Sequence, residues 1–291
     1  MQKLNSDSKI LIVGLGLMGG SYARALWTKG YRPRAISLEQ KSIDYAVSEG
    51  FLDGGWTEVC DEALDWAELV IFALYPTVFV DWIEKHGSRL RPGTLVTDVT
   101  GVKSGIVERV QNMLPEGVEF ISAHPMAGRE RSGVEYSDAK VFSGANYIVV
   151  PTERNTPEAV ALCRRLGEEL GFYRVSVLDC ESHDKMIAFL SQLTHCIAVA
   201  LMCSNDTPGF EAYTGDSFRD LTRIARINDE MWSELFLLNR DALLAEMDNF
   251  ADCFSELRRT LAEGDRDAMR AMMRLSGERR EKFDKPRTSQ N

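Results

Sequence analysis

Lys9-Ile10-Leu11-Ile12-Val13 is a short apolar run that passes directly into Gly14-Leu15-Gly16-Leu17-Met18-Gly19. That stretch passes in turn into Gly20-Ser21-Tyr22-Ala23-Arg24-Ala25-Leu26-Trp27, which has helical spacing. An uninterrupted apolar run of this length describes a strand buried on both faces, as in a parallel sheet. The glycines between strand and helix carry a second constraint. Gly14 permits a tight turn, Gly16 lets the backbone approach a pyrophosphate, and Gly19 lets helix and strand pack closely, so the helix N-terminus faces an anion. The stretch therefore predicts a Rossmann-type turn in which Gly14, Leu15, Gly16, Leu17, Met18 and Gly19 hold a dinucleotide.

Lys29-Gly30 closes that helix, and Arg34 to Leu38 reads as a second strand ending at Glu39. A carboxylate there accepts hydrogen bonds from the adenosine ribose and repels a 2′-phosphate, which favours NAD over NADP. Glu39 lies 25 residues after Gly14, somewhat beyond the usual spacing of about 20, and Arg32 and Arg34 are close enough to complicate the preference. Alternation continues with a helix over 42–48, a strand over 69–74, a helix over 77–86 and a strand over 94–97. This pattern predicts a doubly wound parallel sheet, whose ligands sit at the carboxyl ends of its strands. Leu74, Pro76 and Thr100 occupy such ends and are expected to border the nicotinamide. A further strand over 118–121 brings His124, in His124-Pro125-Met126-Ala127-Gly128, to the same edge. An imidazole at the end of a strand, followed by a glycine-bearing loop, is placed as catalytic groups often are. A strand over 146–150, a helix after Pro157 and a strand over 173–176 carry this domain to about Leu178.

The rest of the chain is helical. Glu181 to about Cys203 contains neither Pro nor Gly and repeats apolar residues at three- and four-residue steps, a long helix buried along at least one stripe. His195 lies on it, in a setting where packing histidines outnumber catalytic ones. Asp216-Ser217 can cap a helix carrying Arg219, Arg223 and Arg226. Arg219 and Arg223, at i and i+4, share a face that could grip carboxylates side by side or could be a solvated face balanced by Asp216 and Asp220. Stretches 231–262 and 265–283 carry apolar stripes through Leu235, Leu238, Leu243, Phe250, Phe254, Leu257 and Leu261, which suit sister helices or a second subunit. Residues 285–291 read as disordered.

At 291 residues two domains are expected. We place them at 1–178, the dinucleotide-binding domain, and 179–291, the helical substrate-binding and dimerisation domain. The net charge of −10 argues against nucleic acid and anionic membranes as partners. No apolar run reads as membrane-spanning and the first nine residues lack a signal peptide's pattern, so a cytoplasmic protein is expected. The six cysteines include no Cys-x-x-Cys pair, which reads as reduced thiols and no metal site.

Taken together, these segments resemble the prephenate and arogenate dehydrogenase family of tyrosine biosynthesis. The matching residues are Gly14 to Ser21; Asp98 with Lys103; His124 to Gly128 with Glu130 and Ser132-Gly133; Ser191 to His195; and Phe218 to Ala225. The resemblance implies an NAD-dependent oxidative decarboxylation of prephenate, or of arogenate, with His124 as the base. It also implies that His195 and Arg223 contact the hydroxyl and carboxylate ends of a dicarboxylate substrate, that Arg219 and Glu130 shape the pocket, and that the helical domain builds a homodimer. Two departures stand out. Many members carry Ser-Val-Lys where this chain has Gly101-Val102-Lys103, so Thr100 or a water would have to supply the hydroxyl. Many also carry Leu-Pro-His where this chain has Leu193-Thr194-His195. The glycine stretch is similar as well to the β-hydroxyacid dehydrogenases, whose lysine and asparagine pair is not matched here, since Lys185 is followed by Phe189 and no asparagine precedes Asn205 on that helix.

Overall fold

The computed structural model describes residues 4–128 and 131–284. The chain forms two compact units, Met1–Arg240 and Asp241–Asn291.

In the first unit the opening strand β1 (Ile10–Val13) is wholly buried and leads into α1 (Leu17–Thr28). β2 (Arg34–Ile36), α2 (Gln40–Ser48), β3 (Gly54–Trp56), α3 (Asp61–Trp66), β4 (Leu69–Phe72), α4 (Pro76–His86), β5 (Leu95–Asp98), α5 (Val107–Met113) and β6 (Glu119–Phe120) continue the alternation. The six strands form one parallel sheet in the order β3-β2-β1-β4-β5-β6. Successive residues along each central strand serve opposite sides. Ile10, Ile12, Leu69 and Ile71 enter one core, while Leu11, Val13, Val70 and Phe72 enter the other. That two-sided burial is why the strands read as continuous apolar runs rather than alternating ones. β3 and α3 were not anticipated, because Gly54-Gly55-Trp56 lacks any β-branched residue and α3 is only 6 residues long.

The sequence suggested a strand that ends at His124. Instead Ile121 separates β6 from β7 (Ser122–Met126), and His124 sits in the middle of β7. β7 pairs antiparallel with β8 (Asn146–Val150), with His124 opposite Ile148, and β8 pairs parallel with β9 (Arg174–Val177). These three strands form a second sheet, with α6 (Pro157–Glu169) preceding β9. Pro125 within β7 offers no N–H, which suits an edge strand with one partner.

The long helix is also more articulated than its spacing suggests. α7 (Cys180–Ile187) runs through a π-helical segment, Ala188–Gln192, into α8 (Leu193–Cys203). By length and composition Cys180–Cys203 is long and apolar enough to cross a membrane, which the sequence reading did not register because Glu181, Asp184 and Lys185 interrupt its first turns. The arginine-bearing helix is shorter than expected: α9 (Asp216–Thr222) ends before Arg223, which opens a 3-10 turn, Arg223–Ala225. α10 (Asp229–Leu238) follows, its N-terminus capped by the Asn228 side chain.

The second unit consists of most of α11 (Arg240–Glu263) together with α12 (Arg266–Glu281), whose first turn is capped by Asp265. Phe250, Phe254, Leu257 and Leu261 form an apolar stripe on α11 that is exposed in the single chain.

Candidate active site

The Gly14 turn matches the backbone demands of a dinucleotide cradle. Gly14 has φ +94°, and a Cβ there would come within 2.5 Å of the Ala73 carbonyl oxygen and 2.7 Å of Leu74 Cδ2. A Cβ on Gly19 would sit 1.9 Å from the Gly14 oxygen, whereas one on Gly16 would meet nothing within 4 Å. The open side of Gly16 is the space through which an anion can approach the backbone. α1 starts with no side-chain cap and no acidic residue in its first turn, so its first N–H groups have no side-chain acceptor among the described residues. Leu74 lies against the Gly14 turn and Pro76 is buried at the first position of α4. Gly19→Ala is expected to force α1 away from the turn, lowering stability by about 1–3 kcal/mol and weakening NAD binding. Thermal melting and a tryptophan-fluorescence titration with NAD check both effects.

Glu39 caps α2 by position and is exposed, with the Ser42 hydroxyl 3.3 Å and the Lys41 ammonium 3.4 Å from Oε2. The two arginines that complicate the cofactor preference are occupied elsewhere. Arg34 pairs with Asp53 at 2.9 Å and faces Trp66, while Arg32 lies over Trp27 and donates to the Tyr31 carbonyl.

Beyond the C-terminal end of β5 lies a buried polar network. Lys103, completely buried, donates from Nζ to Asp98 Oδ2 at 2.9 Å, Thr100 Oγ1 at 3.1 Å and the Ala123 carbonyl at 2.7 Å. Asp98 Oδ1 accepts from the Ser122 hydroxyl at 2.6 Å and the Ala123 N–H at 3.0 Å. One ion pair thus ties the end of the parallel sheet to the backbone beside His124. Burial lowers the Lys103 pKa against the pull of Asp98. The Thr100 hydroxyl is turned inward to Asp98 and the Val102 carbonyl, not outward in place of the hydroxyl that Gly101 lacks.

His124 stands over this network. Its Nδ1 is 2.9 Å from His183 Nε2, and His183 Nδ1 is 2.7 Å from Asp184 Oδ1. The other ring nitrogen, Nε2, faces the space next to Gly101: a Cβ there would lie 3.8 Å from it and 3.5 Å from Leu235 Cδ2. Burial, reinforced by His183 and Lys103, holds the His124 pKa well below the ordinary histidine value, so its ring is neutral at pH 7. Neither His183 nor Asp184 was singled out from the sequence. The signal available was an adjacent His-Asp pair in the polar first turns of an otherwise apolar helix.

His195 lies on α8. Its Nδ1 is 2.9 Å from the Ile224 carbonyl, and its ring packs on Trp232 of α10 at 3.7 Å between centroids. The π-helical segment affects both histidines of this long helix. Twelve residues of ideal α-helix would leave His183 and His195 about 120° apart around the axis, and the wider π-helical turn lies between them. Gln192, buried within that segment, donates to the Leu235 carbonyl at 2.9 Å and accepts from Asn239, which also donates to the Asp184 carbonyl. Arg219 donates to the Thr214 carbonyl at 2.7 Å and pairs with Asp216 at 2.5 Å. Arg223 sits one residue beyond α9 and is exposed. Glu130 lies outside the described residues.

Comparison with known proteins decides the family. The nucleotide-binding domain of prephenate dehydrogenase matches residues 22–175 and the prephenate dehydrogenase dimerization domain matches residues 179–275. The chain belongs to the prephenate dehydrogenase family. It is 30% identical to a cyclohexadienyl dehydrogenase of Zymomonas mobilis over 269 residues, covering 89% of this chain and 90% of that protein. The crystal structure of prephenate dehydrogenase from A. aeolicus with hydroxyphenyl propionate and NAD+ superposes with a TM-score of 0.88 at 29% identity, covering 97% and 100% of the two chains. The Synechocystis arogenate dehydrogenase structure gives 0.80 at 26% identity, covering 95% of this chain and 100% of the other. Family membership carries the Rossmann-type, NAD-binding first part and a helical part in the region of the dimerization model.

Proposed function

We propose that this protein oxidises and decarboxylates prephenate to 4-hydroxyphenylpyruvate with NAD, and that His124 is its base. The observation that carries the reading is the His124 ring: neutral, held at Nδ1, and presenting Nε2 to Gly101. Bound at the Gly14 turn, the dinucleotide supplies the hydride acceptor. The hydrogen on the hydroxyl-bearing ring carbon leaves with its electron pair for that acceptor, the hydroxyl proton goes to His124 Nε2, and the carbon becomes a ketone. The C–C bond to the ring carboxylate then breaks, its electrons complete the aromatic ring and displace a pair onto the ring oxygen, which takes a proton back from His124 as carbon dioxide departs. Aromatisation drives the last step, so the protein's task is orientation and proton removal; these contribute up to about 7–11 kcal/mol and about 10²- to 10⁴-fold respectively. We assign His195 and Arg223 to the substrate's hydroxyl and carboxylate ends. Arg219, as it stands, is held locally by Asp216 and shapes the rim of the pocket.

The direct test is the appearance of reduced dinucleotide on mixing protein, NAD and prephenate, repeated with arogenate and with NADP. Turnover with prephenate and NAD is expected; no turnover with either substrate overturns the reading. Arogenate enters as the second arm because one of the relatives is an arogenate dehydrogenase. Arg223→Ala is expected to raise the substrate KM by about 10- to 100-fold, the worth of one charge-assisted contact, with kcat little changed. An unchanged KM returns Arg223 to the solvated face. We further propose a homodimer in the cytoplasm: the exposed α11 stripe suits a second copy, and the free cysteines suit a reducing compartment.

A further inference from the structure

Resting on the reading of His124 as the base, we propose that His183 and Asp184 are positioning residues that fix the tautomer of His124, so that its Nε2 is the bare, proton-accepting nitrogen.

Asp184 is the fixed end. Its Oδ2 accepts from the Ser104 N–H at 2.7 Å, and the Lys103 N–H lies 3.0 Å from Oδ1 and 3.3 Å from Oδ2. Burial raises the pKa of Asp184, but the hydrogen bonds from His183 and Ser104 outweigh it and bring the carboxyl below its ordinary value. A carboxylate can only accept, so His183 Nδ1 must carry the hydrogen of their 2.7 Å contact. Burial lowers the His183 pKa despite Asp184, and a neutral imidazole with hydrogen on Nδ1 has a lone pair on Nε2. His183 Nε2 therefore accepts, His124 Nδ1 donates across 2.9 Å, and neutral His124 is left with its lone pair on Nε2. That nitrogen is the one facing Gly101.

The same chain places the rings. His183 is completely buried, and Lys103 braces both ends of the network: its N–H holds Asp184 and its ammonium holds the Ala123 carbonyl, one residue before the base. When His124 takes a proton, its Nδ1–H bond to His183 strengthens, and no proton has to move further. A carboxylate that holds the catalytic imidazole in the correct tautomer is a known device in serine hydrolases. Here a second histidine stands between the two groups.

Asp184→Asn is the decisive variant because it reverses the chain at constant shape. With its amide oxygen in the Oδ2 place the side chain keeps the Ser104 N–H and the 3.3 Å contact with the Lys103 N–H, giving up the Lys103 contact at Oδ1, and the amide nitrogen in the Oδ1 place donates to His183 Nδ1. His183 must then carry its hydrogen on Nε2 and donate to His124 Nδ1, which moves the His124 hydrogen onto Nε2. The expected result is a fall in kcat of at least about 100-fold, toward the ~10⁴-fold seen for the analogous change in a serine protease triad, with KM for NAD and prephenate within about threefold. Nitrogen-15 NMR of the imidazoles should show His124 with hydrogen on Nδ1 in the wild type and on Nε2 in the variant. His183→Gln, which can still accept from His124 Nδ1 through its amide oxygen, should retain a kcat between those of wild type and Asp184→Asn, and it serves if the first variant does not fold. A kcat within twofold of wild type for Asp184→Asn, or a wild-type His124 with hydrogen on Nε2, overturns the proposal. If His124→Asn itself retains turnover, the reading beneath it fails; if His124→Asn is inactive and Asp184→Asn is not, the relay alone fails.

Discussion

His124→Asn is expected to lower kcat for prephenate oxidation by about 10²- to 10⁴-fold, the contribution of one well-placed general base, while dissociation constants for NAD and substrate change little. The split follows from where the ring sits. His124 lies in β7, in a different sheet from the Gly14 turn, and its described contacts are His183 and the space beside Gly101. Removing the ring therefore removes the proton acceptor without touching the dinucleotide cradle. Asparagine also spares the backbone pairing of His124 with Ile148. Rapid-mixing kinetics with binding measured separately would check the prediction. Near-normal kcat would take His124 out of the reaction, and a matching loss of NAD binding would make the histidine structural.

Lys103→Met is expected to destabilise the fold by about 3–5 kcal/mol, the usual cost of removing one partner of a buried ion pair. The side chains of Lys103 and Asp98 are both completely buried, 2.9 Å apart. Without the ammonium, Asp98 keeps its hydrogen bonds from Ser122 and Ala123 but becomes an uncompensated buried carboxylate. The Ala123 carbonyl loses a donor at the same time, so the strand that carries His124 is loosened as well. Denaturant unfolding of Lys103→Met, Asp98→Asn and the double variant tests this as a cycle. The double variant should recover part of the loss; strict additivity would mean that the two residues act independently.

What could be read from the sequence divides along physical lines. β1 and β4 were legible because strands buried on both faces must be apolar throughout, and the glycine turn because a Cβ at Gly14 or Gly19 would fall 2.5 Å or 1.9 Å from a backbone oxygen. The short β3 had neither signal. The break at Ile121 that starts a second sheet was invisible, since an apolar run gives no sign of changing partners. Arg219 and Arg223 illustrate another limit: the i, i+4 rule assumes a continuing helix, and α9 stops between them. The network behind His124 was the least legible part, because each of its groups is ordinary in sequence. Only their convergence from β5, β7 and α7 onto a buried site gives them meaning, and no local pattern encodes that convergence. Gly101 offers His124 no hydroxyl, and the described side-chain partner of the imidazole, His183, stands at its other ring nitrogen.

The most direct test of the central claim is the pH dependence of kcat/KM for prephenate oxidation, measured in the wild type and in His124→Asn. His124 is flanked by His183, Asp184 and Lys103, and its pKa lies well below the ordinary value of 6.5 through burial and the neighbouring His183 and Lys103. A base must be neutral to accept a proton, so activity is lost only as the pH falls through that depressed value. The account predicts a flat profile through neutrality, an acid limb clearly below 6.5 in the wild type, and disappearance of that limb in the residual activity of His124→Asn. An acid limb at or above 6.5, or one that persists unchanged in His124→Asn, would contradict it.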